Sequence, residues 1–159
     1  MALFEYKTAL VTGASSGVGA ACVRALREKD IDVVALARRD DRLAALANET
    51  GCRTMNLDLV NTDAIYAELP GLESDILINN AGLGRGYEGF LRSSAAEIDE
   101  MVDLNVTAAF HVTRVVAEGM VKRKSGHVVQ IGSIAALYPI GFPVYGATKG
   151  AVHLFSQHF

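Results

Sequence analysis

Leu10–Gly19 reads Leu-Val-Thr-Gly-Ala-Ser-Ser-Gly-Val-Gly. An apolar run that begins at Thr8 leads directly into three glycines with the spacing G-x-x-x-G-x-G, at Gly13, Gly17 and Gly19. After the glycines, apolar residues recur at helical spacing. The pattern predicts a β-strand, a glycine-rich turn and the start of an α-helix.

The glycine turn has two interpretations. A glycine has no Cβ atom, so a phosphate group can approach the backbone N–H groups at the helix N-terminus, where the helix dipole favours an anion. The other interpretation is an ordinary strand-to-helix turn in which the glycines only ease the path of the backbone. Motifs elsewhere in the chain have to decide between them.

The composition of the 159 residues is that of a folded protein, with 50% hydrophobic and 21% charged residues, and it predicts one domain over residues 1–159. A net charge of −3 provides no basic surface for a nucleic-acid partner. Neither the two cysteines, Cys22 and Cys52, nor the four histidines show metal-ligand spacing. We therefore expect no metal site, and reduced cysteines with Cys22 in the core.

The two ends of the sequence and one uncharged stretch indicate whether the protein is exported or inserted in a membrane. The first seven residues lack the basic and long apolar regions of a signal peptide, which predicts a cytoplasmic protein. The stretch from Val128 to Thr148 has no charge, but prolines and glycines interrupt it, which favours a strand, a loop and a helix start over a membrane span. Because an apolar helix is still running at Phe159, we expect further sequence after it.

Strand and helix patterns alternate along the chain. Strands are predicted at Thr8–Thr12, Ile31–Ala37, Thr54–Leu57, Asp75–Ile78 and His127–Ile131. Helices are predicted at Ser16–Lys29, Arg39–Asn48, Asp63–Leu69, Ala95–Lys124 and from about Tyr145 onward. Ser94 and Glu97 have the spacing of a capping box before the fourth helix. This alternation predicts an α/β fold of the Rossmann type, a doubly wound parallel sheet with helices on both faces.

Further motifs follow the glycine turn, namely Asn79-Asn80-Ala81-Gly82, Asn105, Ser133 and Tyr145-x-x-x-Lys149. In order and approximate spacing, the set resembles the short-chain dehydrogenase/reductase family over essentially the whole chain. Within that family, residues 126–149 look most like the NADP-dependent 3-hydroxy acid, or serine-type, dehydrogenases. The interval from Ser133 to Tyr145 looks one residue shorter than is common there, and the family's last strands and substrate-covering loop have no counterpart in this sequence.

The resemblance implies four catalytic residues. Tyr145 and Lys149 share a helix face, and an ammonium group near a phenol favours the phenolate form that a general acid/base needs. The family implies that Tyr145 is the general acid/base, that Lys149 also binds the nicotinamide ribose, that Ser133 hydrogen-bonds the substrate oxygen, and that Asn105 holds a water leading to Lys149. The alternatives are a surface Tyr–Lys pair, a turn serine and an asparagine that satisfies backbone groups.

The end of the second predicted strand indicates the cofactor. Proteins that select NAD usually have an acidic residue there, whereas an arginine accommodates the 2′-phosphate of NADP. Here Ala37 is followed by Arg38 and Arg39, which predicts NADP(H). The two arginines have an alternative role as surface partners of Asp40 and Asp41.

The family also implies which other residues contact the cofactor. The backbone of Asn80, Ala81 and Gly82 would lie against the adenosine ribose, and Asp58 and Leu59 would meet the adenine, with a helix cap as the alternative role of Asp58. The full set of predicted cofactor-binding residues is Gly13, Ser15, Ser16, Gly17, Val18, Gly19, Arg38, Arg39, Asp58, Leu59, Asn80, Ala81, Gly82, Tyr145 and Lys149.

Taken together, these motifs predict an NADP(H)-dependent oxidoreductase. It would transfer a hydride between the nicotinamide and a small-molecule carbonyl or secondary alcohol. The alternative is an NADP(H)-binding sensor on the same fold without catalysis. Because the family commonly pairs its two long helices, the resemblance also implies a homodimer or homotetramer.

Overall fold

A parallel five-stranded sheet lies at the centre of the protein. The computed structural model describes residues 6–159, so the first five residues of the segment used to argue against a signal peptide lie outside the described part. Every strand pair is parallel, in the order β3-β2-β1-β4-β5. The strands are β1 (Thr8–Thr12), β2 (Asp32–Ala37), β3 (Arg53–Asn56), β4 (Ile76–Asn79) and β5 (His127–Gln130).

Helices alternate with the strands, as the sequence predicts. They are α1 (Gly17–Arg27), α2 (Asp40–Thr50), α3 (Thr62–Glu68), α4 (Ala95–Val102), α5 (Ala109–Arg123) and α6 (Pro143–His158). The ends of these elements differ from the predicted ends by no more than two residues. The prediction of a Rossmann-type doubly wound fold is confirmed.

Two apolar clusters cover the two faces of the sheet. Side chains alternate between the faces along a strand, so Val34 and Leu36 of β2 pack with α3 and α5, whereas Val33 and Ala35 pack with α1 and α2. This burial on both sides is why β2 is an almost continuous apolar run. Helices therefore cover both faces of the sheet behind the loops at its carboxyl edge.

Cys22, which the sequence predicts in the core, packs against the core cluster from its margin and is not fully buried. The buried stripe of α1 consists of Gly19, Ala20 and Val23, and Cys22 lies beside that stripe, only partly buried. Cys52, just before β3, is the buried cysteine. Both thiols are free.

The predicted long fourth helix is continuous but contains an irregular turn. The capping box before α4 is confirmed, because Ser94 Oγ accepts a hydrogen bond from Glu97 N at 3.2 Å and Ser94 N donates to Glu97 Oε2 at 2.9 Å. Between α4 and α5, Asp103–Ala108 form a π-helical segment. Such wide turns occur often at functional sites, and this one carries Asn105.

The uncharged stretch from Val128 to Thr148 divides as predicted into most of β5, a loop and the start of α6. The loop contains a short 3-10 helix, Ile134–Ala136, and Pro143 occupies the first position of α6. Over residues 6–159, no helix combines the length and the apolar character that crossing a membrane requires.

Candidate active site

The loops at the carboxyl edge of the sheet enclose a cavity of about 440 Å³, here called the glycine-turn cavity. Its walls come from the loops after β1, β2, β3 and β4. They are formed by Gly13, Ser15, Ser16, Val18, Leu36, Ala37, Arg38, Arg39, Leu57, Asp58, Leu59, Asn80, Ala81, Gly82, Leu83, Arg85 and Leu104. Eleven of these are among the predicted cofactor-binding residues, so the structure brings most of that set to one place. Gly17 and Gly19 lie in the same turn but outside the walls.

Two glycines of the turn have distinct structural requirements. Gly13 has a left-handed φ of +63°, which glycine adopts without strain. A Cβ atom on Gly19 would lie 2.5 Å from Gly13 O and 2.6 Å from Asn80 Nδ2, so no larger residue fits there. The glycine spacing therefore packs β1, α1 and the loop after β4 against one another.

The N-terminus of α1 faces this cavity without a side-chain cap from the described residues. Ser16 is the N-cap residue, but its Oγ accepts a hydrogen bond from Arg39 Nη2 at 2.8 Å. Arg39 Nη2 also donates to Ser15 Oγ at 2.8 Å. Uncapped N–H groups at a helix N-terminus beside an arginine form an environment that suits an anion.

Arg38 points to the other side of the cavity. Its Nη1 lies 3.8 Å from Asp58 Oδ2, and both side chains are about half exposed. The ion pairs found among residues 6–159 do not join either arginine to Asp40 or Asp41. The alternative role predicted for the two arginines, as partners of those carboxylates, is therefore not what the structure contains.

Asp58 does not cap a helix, which was the alternative role predicted for it. Asp58 Oδ1 accepts a hydrogen bond from Val60 N at 3.1 Å, which stabilises the turn after Leu57. The N-cap of α3 is Asn61, whose Oδ1 accepts from Ala64 N at 3.1 Å. Asp58 is thus left at the wall of the cavity, with Leu59 beside it.

A buried hydroxyl fixes the loop after β4. Thr12 Oγ1 accepts hydrogen bonds from Asn80 N and Ala81 N, both at 3.0 Å, and donates to Asn79 Oδ1 at 3.2 Å. The Asn80 side chain in turn donates to Thr12 O at 3.0 Å and to Gly13 O at 3.2 Å. Sequence reasoning missed the roles of Thr12 and Asn79; the signal was a polar residue at the end of each apolar strand.

Tyr145 and Lys149 lie one turn apart on α6 in the wall of a second cavity of about 400 Å³, the tyrosine cavity. Lys149 Nζ donates a hydrogen bond to Ile131 O at 2.9 Å and lies 5.9 Å from the centre of the Tyr145 ring. Lys149 is only 6% exposed, and this burial lowers the pKa of its ammonium group. The other lining residues are Asn80, Gly82, Leu83, Gly84, Arg85, Tyr87, Ile131, Gly132, Ile140 and Phe142.

Asn105 lies behind these two residues and is 1% exposed. Its Oδ1 accepts a hydrogen bond from Leu83 N at 2.8 Å, and its Nδ2 donates to Leu83 O at 2.8 Å and to Thr148 Oγ1 at 3.0 Å. A Cβ atom on Gly82 would lie 3.1 Å from Asn105 Oδ1 and 3.4 Å from Lys149 Nζ. The side chain therefore satisfies backbone groups, as the alternative interpretation has it, and fixes the loop beside Lys149.

Ser133 lies next to the tyrosine cavity but not in its wall. Its Oγ accepts a hydrogen bond from Ala135 N at 3.2 Å and so caps the short 3-10 helix after β5. Ile131 and Gly132, the two residues before it, do line the cavity. The structure thus places Ser133 at the edge of the site, in a turn of its own.

Sequence reasoning also missed Arg85 and Tyr87 in the loop after β4. Arg85 lines both cavities, and Tyr87 lies edge-on against Phe142, with ring centres 5.4 Å apart. The signal for Arg85 was an arginine between two glycines, three residues after the end of the Asn-Asn-Ala-Gly motif. Within the described part of the chain, no three His, Cys, Asp or Glu side chains are grouped to hold a metal ion.

Known proteins share this architecture. The family model described as "short chain dehydrogenase" matches residues 7–159. The NADP-dependent 3-hydroxy acid dehydrogenase YdfG of Salmonella typhi is 42% identical over 155 residues, which cover 92% of this chain and 62% of that protein. This chain therefore spans less than two thirds of the length of that relative. The predicted likeness to the family and to its 3-hydroxy acid dehydrogenases is confirmed.

Solved structures of dehydrogenases have a similar fold. The crystal structure of serine dehydrogenase from Escherichia coli is similar with a TM-score of 0.90 and 39% identity, over 95% of this chain and 74% of that one. The short-chain dehydrogenase from Sphingobium yanoikuyae in complex with NADPH has a TM-score of 0.87 and 35% identity, over 96% of this chain and 63% of that one. The whole described fold thus recurs in proteins with these descriptions.

Proposed function

We propose an oxidoreductase function, because the chain belongs to the short-chain dehydrogenase family and because Tyr145 and Lys149 line one cavity at the carboxyl edge of its sheet. The enzyme would interconvert a carbonyl compound and a secondary alcohol with NADP(H). One observation carries the proposal: the glycine-turn cavity and the tyrosine cavity share the wall residues Asn80, Gly82, Leu83 and Arg85. A single extended ligand can therefore lie across both.

The residues of the glycine-turn cavity fit NADP(H). The uncapped N-terminus of α1 suits a diphosphate, and Arg38 and Arg39 follow β2 where the 2′-phosphate of NADP is bound in this type of fold. The relatives named above are described as NADP-dependent or as bound to NADPH. When bound, the nicotinamide would supply or accept the hydride.

The chain's own chemistry is a proton transfer at Tyr145. In the reductive direction, the Tyr145 hydroxyl donates its proton to the substrate's carbonyl oxygen and becomes a phenolate. In the oxidative direction, the Tyr145 phenolate accepts the proton of the alcohol and becomes the hydroxyl again. Lys149, held by Ile131 O, stabilises the negative charge that remains on the tyrosine oxygen. Asn105 holds Gly82 and Leu83 in place beside Lys149.

Four further features belong to this proposal. Ser133 Oγ accepts from Ala135 N, and its own O–H donates to the oxygen of a substrate that reaches the edge of the tyrosine cavity. Residues 1–159 form one nucleotide-binding domain with the catalytic residues. The substrate is a 3-hydroxy acid or its oxo form, as the name of the relative from Salmonella typhi suggests. Copies of the chain pair through the long helices to form a homodimer or homotetramer. Val121 and Leu154, 72% and 57% exposed, are apolar residues available on those helices. Light scattering after size-exclusion chromatography would measure the assembly.

The experiment that tests the proposal measures turnover with and without the tyrosine hydroxyl. The full-length protein is mixed with NADPH and a panel of carbonyl compounds that includes 3-oxo acids. The cofactor absorbance is followed for the wild type, Tyr145→Phe and Tyr138→Phe. Tyr138 is an exposed tyrosine outside both cavities and serves as the control. We expect Tyr145→Phe to lose at least about 100-fold in rate, the contribution typical of a general acid, and Tyr138→Phe to retain the wild-type rate.

Two outcomes would contradict the proposal. Equal rates for the wild type and Tyr145→Phe would exclude Tyr145 as the acid. Tight NADPH binding without turnover of any carbonyl compound would favour the alternative, an NADP(H)-binding sensor.

A further inference from the structure

The charged residues that line the tyrosine cavity are all cationic. Of the residues that line it, Arg85 and Lys149 are cationic and none is acidic. Lys149 is buried, and its ammonium group is bound to Ile131 O. The Arg85 side chain is 44% exposed, so it is the cation that an incoming ligand reaches first.

The guanidinium of Arg85 is held on one edge and open on the other. Its Nε and Nη2 donate to the two carboxylate oxygens of Glu100, at 3.1 and 3.3 Å. Its Nη1 has one contact in the described part of the chain, a long one of 3.5 Å to Gly84 O. A guanidinium carries five N–H donors in one plane and binds carboxylates bidentately. The edge formed by Nη1 and Nη2 is therefore available to a second carboxylate while Glu100 keeps the side chain oriented.

The backbone that carries Arg85 is fixed relative to Tyr145. Arg85 N contacts Met101 Sδ at 3.3 Å, and Leu83 is bound on both its N–H and C=O by Asn105. A Cβ atom on Gly84 would lie 3.6 Å from Tyr145 Cδ2. The cation and the tyrosine ring thus face the same cavity from neighbouring positions on rigid supports.

We infer that Arg85 binds a carboxylate group of the substrate and so selects anionic hydroxy acids over neutral alcohols. The inference rests on the proposed function and deepens it. Glu100 is a positioning residue, because it contacts the guanidinium and not the cavity. A half-exposed ion pair contributes little on its own, so the Arg85–Glu100 pair alone gives no reason for an arginine in the cavity wall.

The test compares an acid with its neutral ester. Oxidation of 3-hydroxybutyrate and of methyl 3-hydroxybutyrate with NADP⁺ is measured for the wild type, Arg85→Met, Arg85→Lys and Arg92→Met. Arg92 is exposed in the same loop region and lines neither cavity, so Arg92→Met removes the same charge without touching the site. We expect Arg85→Met to lower the acid-to-ester ratio of kcat/KM about 10- to 100-fold, mainly through KM for the acid. Arg85→Lys should recover part of the ratio, and Arg92→Met should keep the wild-type value.

A binding measurement separates this inference from the proposed chemistry. Calorimetry is performed with 3-hydroxybutyrate on the NADP⁺ complexes of Tyr145→Phe and of Tyr145→Phe/Arg85→Met, neither of which has to turn over. We expect the acid to bind the first complex and to bind the second at least about tenfold more weakly. Equal affinities, no binding of the acid to the first complex, an equal loss for acid and ester, or a loss confined to NADP⁺ affinity would each overturn the role of Arg85.

Discussion

Replacing Thr12 by valine should destabilise the protein more than its small change in shape suggests. Valine has nearly the volume of threonine and also favours a strand, so β1 keeps its side chain and its packing. The valine side chain lacks the hydroxyl group of Thr12. That hydroxyl is fully buried and makes three hydrogen bonds, from Asn80 N, from Ala81 N and to Asn79 Oδ1. One donor and two acceptor positions are the full capacity of a hydroxyl.

The size of the effect follows from those three bonds. Each contributes about 1 kcal/mol net, and the two N–H groups that lose their acceptor are only partly buried, so water compensates in part. We expect Thr12→Val to lower the free energy of unfolding by about 2–3 kcal/mol. The control is Thr12→Ser, which keeps the hydroxyl and removes one buried methyl group, a loss of about 1 kcal/mol.

Urea denaturation followed by circular dichroism measures both variants against the wild type. The slope of the free energy with urea should be unchanged, since it depends on the surface exposed on unfolding, and only the midpoint should move. If Thr12→Val is no less stable than Thr12→Ser, the hydroxyl does not hold the loop after β4, and the reasoning is wrong.

Three further predictions concern the cofactor, the glycines and pH. Arg38→Ala should weaken NADPH binding at least about tenfold and change NADH binding little, because only NADPH has the 2′-phosphate. The control is Arg42→Ala, which removes a charge outside both cavities. Equal losses of affinity for both nucleotides would contradict the phosphate role of Arg38. Gly19→Ala should destabilise the protein, since the added Cβ atom would lie 2.5 Å from Gly13 O. Gly150→Ala has open space around it in α6 and should stabilise the protein by about 0.5–1 kcal/mol in the same urea assay. Similar shifts in the free energy of unfolding for the two variants would disprove the packing argument. Because burial lowers the pKa of Lys149, the unfolded chain binds more protons between that lowered pKa and the ordinary value of 10.5, so Lys149 makes the free energy of unfolding rise with pH in this window. Lys149→Met should show a smaller rise in urea titrations at alkaline pH, and equal slopes would refute the burial effect.

The order of elements could be predicted because each depends on local chemistry. The continuous apolar run of β2 and the helical spacing of apolar residues in α5 are both patterns within a short stretch of sequence. The positions of Tyr145 and Lys149 follow in turn, since residues four apart on a helix share a face. The gathering of Gly13, Arg38, Asp58 and the loop after β4 follows from parallel strands that all end at one edge of the sheet.

Other features depend on contacts between distant residues, which no local pattern encodes. The π-helical turn carries Asn105, whose side chain binds Leu83, 22 positions away, and the regular spacing of buried residues through this region gives no sign of either feature. The orientation of Arg85 depends on Glu100 in the same way. Ser133 is a different case, because its hydroxyl accepts from Ala135 N only two residues away, and this local bond competes with a role in the cavity.

The loop after β4 links the two halves of the site, because it is held from opposite sides. Thr12 binds the backbone of Asn80 and Ala81 from β1, and Asn105 binds Leu83 from the π-helical turn. Between these anchors lies Gly82, in the wall of both cavities, with Lys149 directly beside it. Loosening the Thr12 anchor should therefore change more than stability: NADPH affinity and the rate of the proton transfer at Tyr145 should fall together. A Thr12→Val variant that loses stability but keeps both would show that Asn105 alone positions the loop.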